Sequence, residues 1–319
     1  MKPLAYGAVG LLAVLLALYG GSRWLTWRAE RAFPPLGRFA TVDGVRLHYV
    51  EAGSGPAVVL LHGANGALQD FTTTIMPALS RRYRVIALDR PGHGHSQRPP
   101  QAGTPAAQAE LLRGLLRQLG VDRPVLVGFS WSGALVLSYA LRHQAELDGI
   151  VLLAGTAYPW AAPVDLKWRL PAWPILGDLA VEILVQPLAV LVSAGAVAAS
   201  FAPGPVPASF GGAPWPLALR PGSFRANAED VRNLKPALAE QSPHYGRLAL
   251  PIVLLTGDRD TVVGPDTHSR PLAKTLPHAE LIVVPDAGHL LPYSHPEATI
   301  AAIDRARAGR SPRSQPQDR

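Results

Sequence analysis

The sequence predicts an α/β fold: a mostly parallel sheet flanked by helices, with a helical cap inserted late in the chain. Three observations predict it. Short, almost uniformly apolar runs alternate with longer helical patterns, as strands covered on both faces by crossover helices do. From 157 to 246 no strand pattern is visible, although proline and tryptophan are frequent there. The chain has 319 residues, 48% of them hydrophobic and 17% charged, and lacks cysteine. That is enough to bury a large core without covalent staples.

The elements follow in order. Pro3 to Gly21 carries no charge, and at about 1.5 Å per helical residue such a run just spans a hydrocarbon core of about 30 Å. Trp24 and Trp27, interleaved with Arg23, Arg28 and Arg31, suit a headgroup layer. A membrane anchor over 1–31 is the expected reading. A signal peptide cut before Arg23 and a buried core helix compete with it. The charges flanking the span divide between both sides, and the Met-Lys start points to an extracytoplasmic body. Strands are expected at Gly44–Glu51, Ala57–Leu61, Arg84–Leu88, Pro124–Phe129, Gly149–Leu153, Ile252–Leu255 and Glu280–Val284. Helices are expected at Ala106–Leu119, Ser132–His143 and Pro265–Leu276.

The expected division is an anchor over 1–31, a first core segment over 32–156, a cap over 157–246, a second core segment over 247–306 and a disordered tail over 307–319. Within the cap, Pro187–Ala202 is uncharged and apolar. It is expected to be a lid helix buried against the main domain, with a membrane-dipping segment as the competing reading.

Charge and composition exclude several function classes. The net charge is +7, but residues 32–303 hold 21 basic and 20 acidic residues, so the excess lies in the two ends. A nucleic-acid face needs clustered cations on the folded domain, and none is expected here. Without cysteine there is no disulfide, thiolate metal site, cysteine nucleophile or lipobox anchor.

The residues that carry chemistry sit at strand ends. Val125–Phe129 runs into Ser130-Trp131-Ser132-Gly133 and then a helical pattern, the context of a nucleophile elbow. The competing reading is a serine N-cap. The fifth position of the usual Gly-x-Ser-x-Gly is Ser132 rather than glycine. A serine nucleophile needs a base, and the base an orienting acid. Ile252–Leu255 leads into Gly257-Asp-Arg-Asp260, and Glu280–Val284 leads towards His289. His289 is the expected base and Asp260 the expected acid, with Asp258 as the alternative acid or a turn former. His62 reads as a structural histidine. His93-x-His95 has metal-like spacing but no accompanying ligand set, so no metal is expected.

With these motifs in order, the chain resembles the α/β-hydrolase superfamily in its capped, esterase-like branch, over roughly residues 36–303. Leu60-Leu-His-Gly-Ala64 is similar to that family's His-Gly motif, Asp89-Arg-Pro-Gly-His-Gly-His-Ser96 to its glycine turn, and Gly257-Asp-Arg-Asp260 to its acid motif. The resemblance implies an α/β-hydrolase fold and an oxyanion hole from the backbone N–H groups of Ala64 and Trp131. Asn65 and the Trp131 ring are candidates to line the substrate pocket, with a turn role open for Asn65 and a role covering the sheet open for Trp131.

The family's dehalogenases and epoxide hydrolases use aspartate at the elbow, so Ser130 implies acyl-enzyme chemistry. The expected function is hydrolysis of a small apolar carboxylic ester, with no metal or organic cofactor required. A C–C bond hydrolase or perhydrolase with the same triad, and a non-catalytic membrane-tethered receptor, are the alternatives.

Overall fold

Eight strands form one sheet in the computed structural model, which describes residues 2–309, with side chains from residue 6. They are β1 (Arg38–Val42), β2 (Val45–Ala52), β3 (Ala57–Leu61), β4 (Arg84–Leu88), β5 (Val125–Phe129), β6 (Gly149–Leu153), β7 (Ile252–Gly257) and β8 (Glu280–Val284). Their spatial order is β1-β2-β4-β3-β5-β6-β7-β8. β1 and β2 pair antiparallel, β2 joins β4 antiparallel, and every other pairing is parallel. The strand β1 is absent from the sequence expectation. It is an edge strand with only Ala40 and Val42 buried, so its apolar signal is weak. The turn Asp43-Gly44, with φ of 49° and 78°, folds it onto β2, as a two-residue hairpin requires.

Burial explains the strands. Every residue of β3, β5 and β6 is buried, because helices cover both faces of the sheet. One face carries the helices Pro105–Gln118 and Ser132–His143, and the other carries Pro296–Ala308. The helix expected at Pro265–Leu276 is shorter, Ser269–Thr275. The residues before it form turns that aim His268 at the backbone amides of Ala157 and Tyr158.

The topology also fixes where chemistry can occur. From β3 the chain moves outward to β4, then returns to the other side of β3 as β5. The loops after β3 and β5 therefore part at a switch point, where open parallel sheets leave a crevice at their carboxyl ends. Leu61 of β3 is in register with Gly128 of β5, which brings the two loops level.

Between β6 and β7 the chain is helical. A continuous helical stretch, Leu176–Phe201, contains a wider π turn at Val181–Val185 just before Pro187, which has no amide to donate. A long helix, Pro221–Gln241, then crosses above the strand ends. Here the structure corrects an expectation. The apolar segment 187–202 is not buried against the main domain: Leu188, Val190, Leu191 and Val192 are all exposed.

The N-terminal helix is a single rod, Lys2–Ala32. Its last turns dock on the cap through one stripe, Ser22, Thr26 and Ala29, each buried. Ser22 and Thr26 donate to Gln186 Oε1 at 3.3 and 3.0 Å. The apolar residues before this stripe, from Tyr6 to Leu16, stand free of the body. Of the expected tail, 310–319 lies outside the described residues; Arg307 and Ala308 complete the last helix.

Candidate active site

Ser130 sits at the end of β5 with φ of 54°, in the left-handed region that a non-glycine residue adopts only when its surroundings hold it there. Its amide donates to Leu153 O at 2.9 Å, and its carbonyl accepts from the Gly133 and Thr156 amides. The tight turn demands small neighbours. A Cβ on Gly128 would lie 2.3 Å from Ser132 O, and one on Gly133 would lie 2.7 Å from Gly155 Cα. These two positions need glycine. Position 132, where the usual pattern has glycine, accommodates a serine whose Oγ donates to His62 O at 2.5 Å. That bond braces the turn against the loop after β3.

Three strand ends converge at Ser130. His289 Nε2 lies 2.9 Å from Ser130 Oγ, and His289 Nδ1 lies 2.8 Å from Asp260 Oδ2. Asp260 Oδ1 accepts the amides of Val262 and Val263, both at 2.8 Å, which fixes the carboxylate plane. Asp258 does not join this line. It is exposed and faces Arg259. Ser130 and His289 are only 7% and 6% exposed, so the cap nearly closes the site.

The loop after β3 presses on the serine: a Cβ on Gly63 would sit 2.7 Å from Ser130 Cβ. Among the described residues, the backbone amides of Ala64 and Trp131 donate to no protein acceptor. Two free donors beside a serine hydroxyl suit an incoming oxyanion. Asn65 has φ of 56° and its amide donates to Asn227 Oδ1, so its backbone shapes the turn while its side chain is exposed.

The ring of Trp131 departs from its expected place at the pocket. It is buried, its Nε1 donates to Asp230 O at 3.0 Å, and the Arg90 guanidinium lies 4.1 Å over its centre. The ring is fully used in tying the elbow to the helix Pro221–Gln241.

That attachment is the part of the site that the sequence did not disclose. Arg90, entirely buried, donates to Asp230 Oδ2 at 2.7 Å, to Gln108 Oε1 and to the carbonyls of His62 and Gly63. Asp230 Oδ1 accepts from Arg98 and Gln108. Burial, reinforced by Arg90, holds His62 well below the usual histidine range, so its Nε2 stays free to accept the Arg90 amide. His93 is depressed for the same reasons and lies against Asn227, whereas His95 donates to Phe33 O. Among the described residues, no group of three or more histidines and carboxylates is placed to hold a metal ion.

A second buried acid supports the loop. Burial pushes the Asp70 carboxyl up to about 7, and it accepts from Tyr293 Oη at 2.9 Å and from the Ala67 amide. Tyr293 in turn packs on Phe201 and Phe210 of the cap. His289 is held from the cap as well, because its amide donates to Ser200 O at 2.9 Å.

Comparison with known proteins places this geometry. Residues 56–181 match the family model for the alpha/beta hydrolase fold. The chain is 28% identical to 2-hydroxy-6-oxo-6-phenylhexa-2,4-dienoate hydrolase of Burkholderia cepacia, over 82% of this chain and 92% of that one. Among solved structures, an epoxide hydrolase, CorEH, superposes with a TM-score of 0.71 at 21% identity, covering 84% of this chain and 97% of that one. A thermophilic esterase from Thermogutta terrifontis gives 0.64 at 23% identity, with 86% and 100% covered. The relatives are hydrolases of several kinds on one fold.

Proposed function

We propose, from the premise that the chain belongs to the α/β-hydrolase superfamily, that it is a serine hydrolase cleaving an apolar carboxylic ester, tethered to a membrane by its first helix. The observation that carries this reading is the Ser130–His289–Asp260 line, with contacts of 2.9 and 2.8 Å at the carboxyl ends of three strands. Aspartate at the elbow would have favoured the alkyl-ester chemistry of epoxide hydrolases or dehalogenases; serine favours an acyl-enzyme.

The steps follow from the atoms. Ser130 Oγ donates its proton to His289 Nε2 and attacks the ester carbonyl carbon. Asp260 holds the imidazole in the tautomer with hydrogen on Nδ1 and stabilises the imidazolium. The Ala64 and Trp131 amides receive the oxyanion, each such donor contributing about 3 kcal/mol to the transition state. His289 returns the proton to the leaving alcohol, and a water repeats the sequence to release the acid.

The cap supports an apolar substrate. The cap segment that reaches His289 is apolar, with Phe201 and Phe210 packed on Tyr293, and the buried Arg90 beside the site is committed to Asp230. A dienoate like that named for the Burkholderia relative is an anion and would need a free cation here. C–C bond hydrolysis is therefore the second reading.

The test is the chain with and without Ser130→Ala, assayed on p-nitrophenyl esters of rising acyl length and with a fluorophosphonate probe. Loss of labelling together with a fall in turnover of about 10³-fold or more is expected. A wild-type protein that neither labels nor turns over would falsify the reading. Labelling without ester turnover would move the chemistry to the C–C bond.

A further inference from the structure

We infer that the apolar cap helix Gln186–Phe201 lies in the same bilayer that receives the N-terminal helix, and that Ser130 draws its ester from the lipid phase. The second half rests on the reading of Ser130 as nucleophile. The first half rests on the reading of the first helix as a membrane anchor, together with the geometry of the cap helix.

The first observation is the shape of the exposed surface. Val190, Leu191 and Val192 are successive residues of one helix, spaced about 100° apart, and all are exposed; Leu191 is 78% exposed. A helix that seats on a protein partner shows an apolar stripe with a polar back. This one has no polar back: no charge occurs between Ile183 and Leu219. Apolar surface all round calls for an apolar liquid rather than a groove.

The second observation is position. The uncharged run of the N-terminal helix ends at Ser22, which donates to Gln186, the first residue of the cap helix. One turn on, Trp24 and Trp27 are exposed under Arg28 and Arg31, whose guanidiniums lie 5.5 and 5.0 Å over the two rings. Tryptophan with arginine is the pairing of a headgroup layer. A bilayer that holds the first helix therefore has its surface at Gln186, where the cap helix starts.

The third observation excludes a second crossing. The stretch Leu176–Phe201 is long and apolar enough to span, but both ends are fixed to the same body. At one end Val181 and Ile183 are buried and Glu182 accepts from Arg225; at the other, Ser200 O accepts the His289 amide and Phe201 packs on Tyr293. A helix held at both ends by one domain lies along the surface. Its far end touches the residue that faces Ser130, so a lipid-dissolved ester following this helix arrives at the site without crossing water.

The lack of native cysteine makes the test clean. The full chain, reconstituted in phosphatidylcholine–phosphatidylglycerol vesicles, carries one spin label at Leu191→Cys or at His278→Cys, the latter just before β8, at the amino ends of the strands and away from the cap. The label at 191 is expected to collide with oxygen and be shielded from a water-soluble nickel chelate, and the label at 278 to show the reverse. Equal nickel access at both sites overturns the inference. So does dipolar broadening between labels at 191, which would assign the surface to a second copy.

In the second arm, the double variant Leu191→Asp with Val192→Asp is assayed on p-nitrophenyl palmitate dissolved in the vesicles and on soluble p-nitrophenyl butyrate. A loss of about tenfold or more on the palmitate alone is expected, given the cost of charge in hydrocarbon. Equal losses on both esters overturn the lipid-phase route. Fluorophosphonate labelling of Ser130 separates the two ideas: without it the nucleophile reading fails, while the spin labels still decide the seat of the helix.

Discussion

The two long helices of the cap are attached to the core in opposite ways. Pro221–Gln241 is bound through its middle: Asp230 takes Arg90, Arg98 and Gln108, Asn227 takes the Asn65 amide, and the Asp230 carbonyl takes the Trp131 indole. Gln186–Phe201 is bound at its ends, with its middle free. The first helix is part of the frame that shapes the elbow and the loop after β3. The second is surface, and its sequence answers to what lies outside the molecule.

Breaking the frame should be the costliest change. Asp230→Ala leaves Arg90 buried without its counter-charge, which costs about 3–5 kcal/mol. Chemical denaturation should register that loss, and activity should fall at temperatures where the fold persists. Next in size is the joint where the cap leaves the core. Burial lowers His268 to about 4 against the opposing pull of the Asp260 charge, and its unprotonated Nδ1 accepts the Ala157 and Tyr158 amides. The folded value lies below the unfolded one of 6.5, so the stabilisation is present above pH 6.5 and is lost as pH falls towards 4. The total is about 3 kcal/mol. A denaturation series from pH 7 to 4 should show this slope added to those of His62 and His93, which burial also depresses, and His268→Asn should remove its own share and leave theirs.

A smaller effect sharpens the contrast. Trp131→Phe keeps the ring under Arg90 but removes the bond to Asp230 O, for a loss of about 1 kcal/mol. Smallest is Leu191→Asp. With its side chain free of the body, it should change unfolding in detergent by about 0.5 kcal/mol or less. A loss as large as that of Asp230→Ala would mean that the middle of this helix is packed after all, and the contrast would collapse.

The same contrast explains what could be read from the sequence. The central strands are runs with one environment along their whole length, so five apolar residues between turn formers identify them. The Ser130, Asp260 and His289 positions follow because each lies in the turn after a strand run, β5, β7 and β8 in order. Arg90 and Asp230 have no local signal: they lie 140 positions apart, and each looks like an ordinary surface charge until the fold joins them. The expectation of Asp260 over Asp258 rests on the resemblance to the family's acid motif and not on local pattern; of the two carboxylates, Asp260 is the one that turns inward to His289. For 187–202 the composition was legible and the environment was not. An uncharged helix reads the same whether protein or another apolar medium surrounds it.

The docked stripe on the first helix has a mechanical consequence. A folded domain on a flexible tether tumbles about its attachment point. Here the rod runs unbroken from Lys2 to Ala32, and it is fastened along its side by Ser22, Thr26 and Ala29 and again by the Glu30–Arg220 pair. Just beyond it, His95 and His48 grip the carbonyls of Phe33 and Leu36. There is no swivel between rod and body. Whatever holds the first turns of the rod therefore also sets the compass heading of the serine.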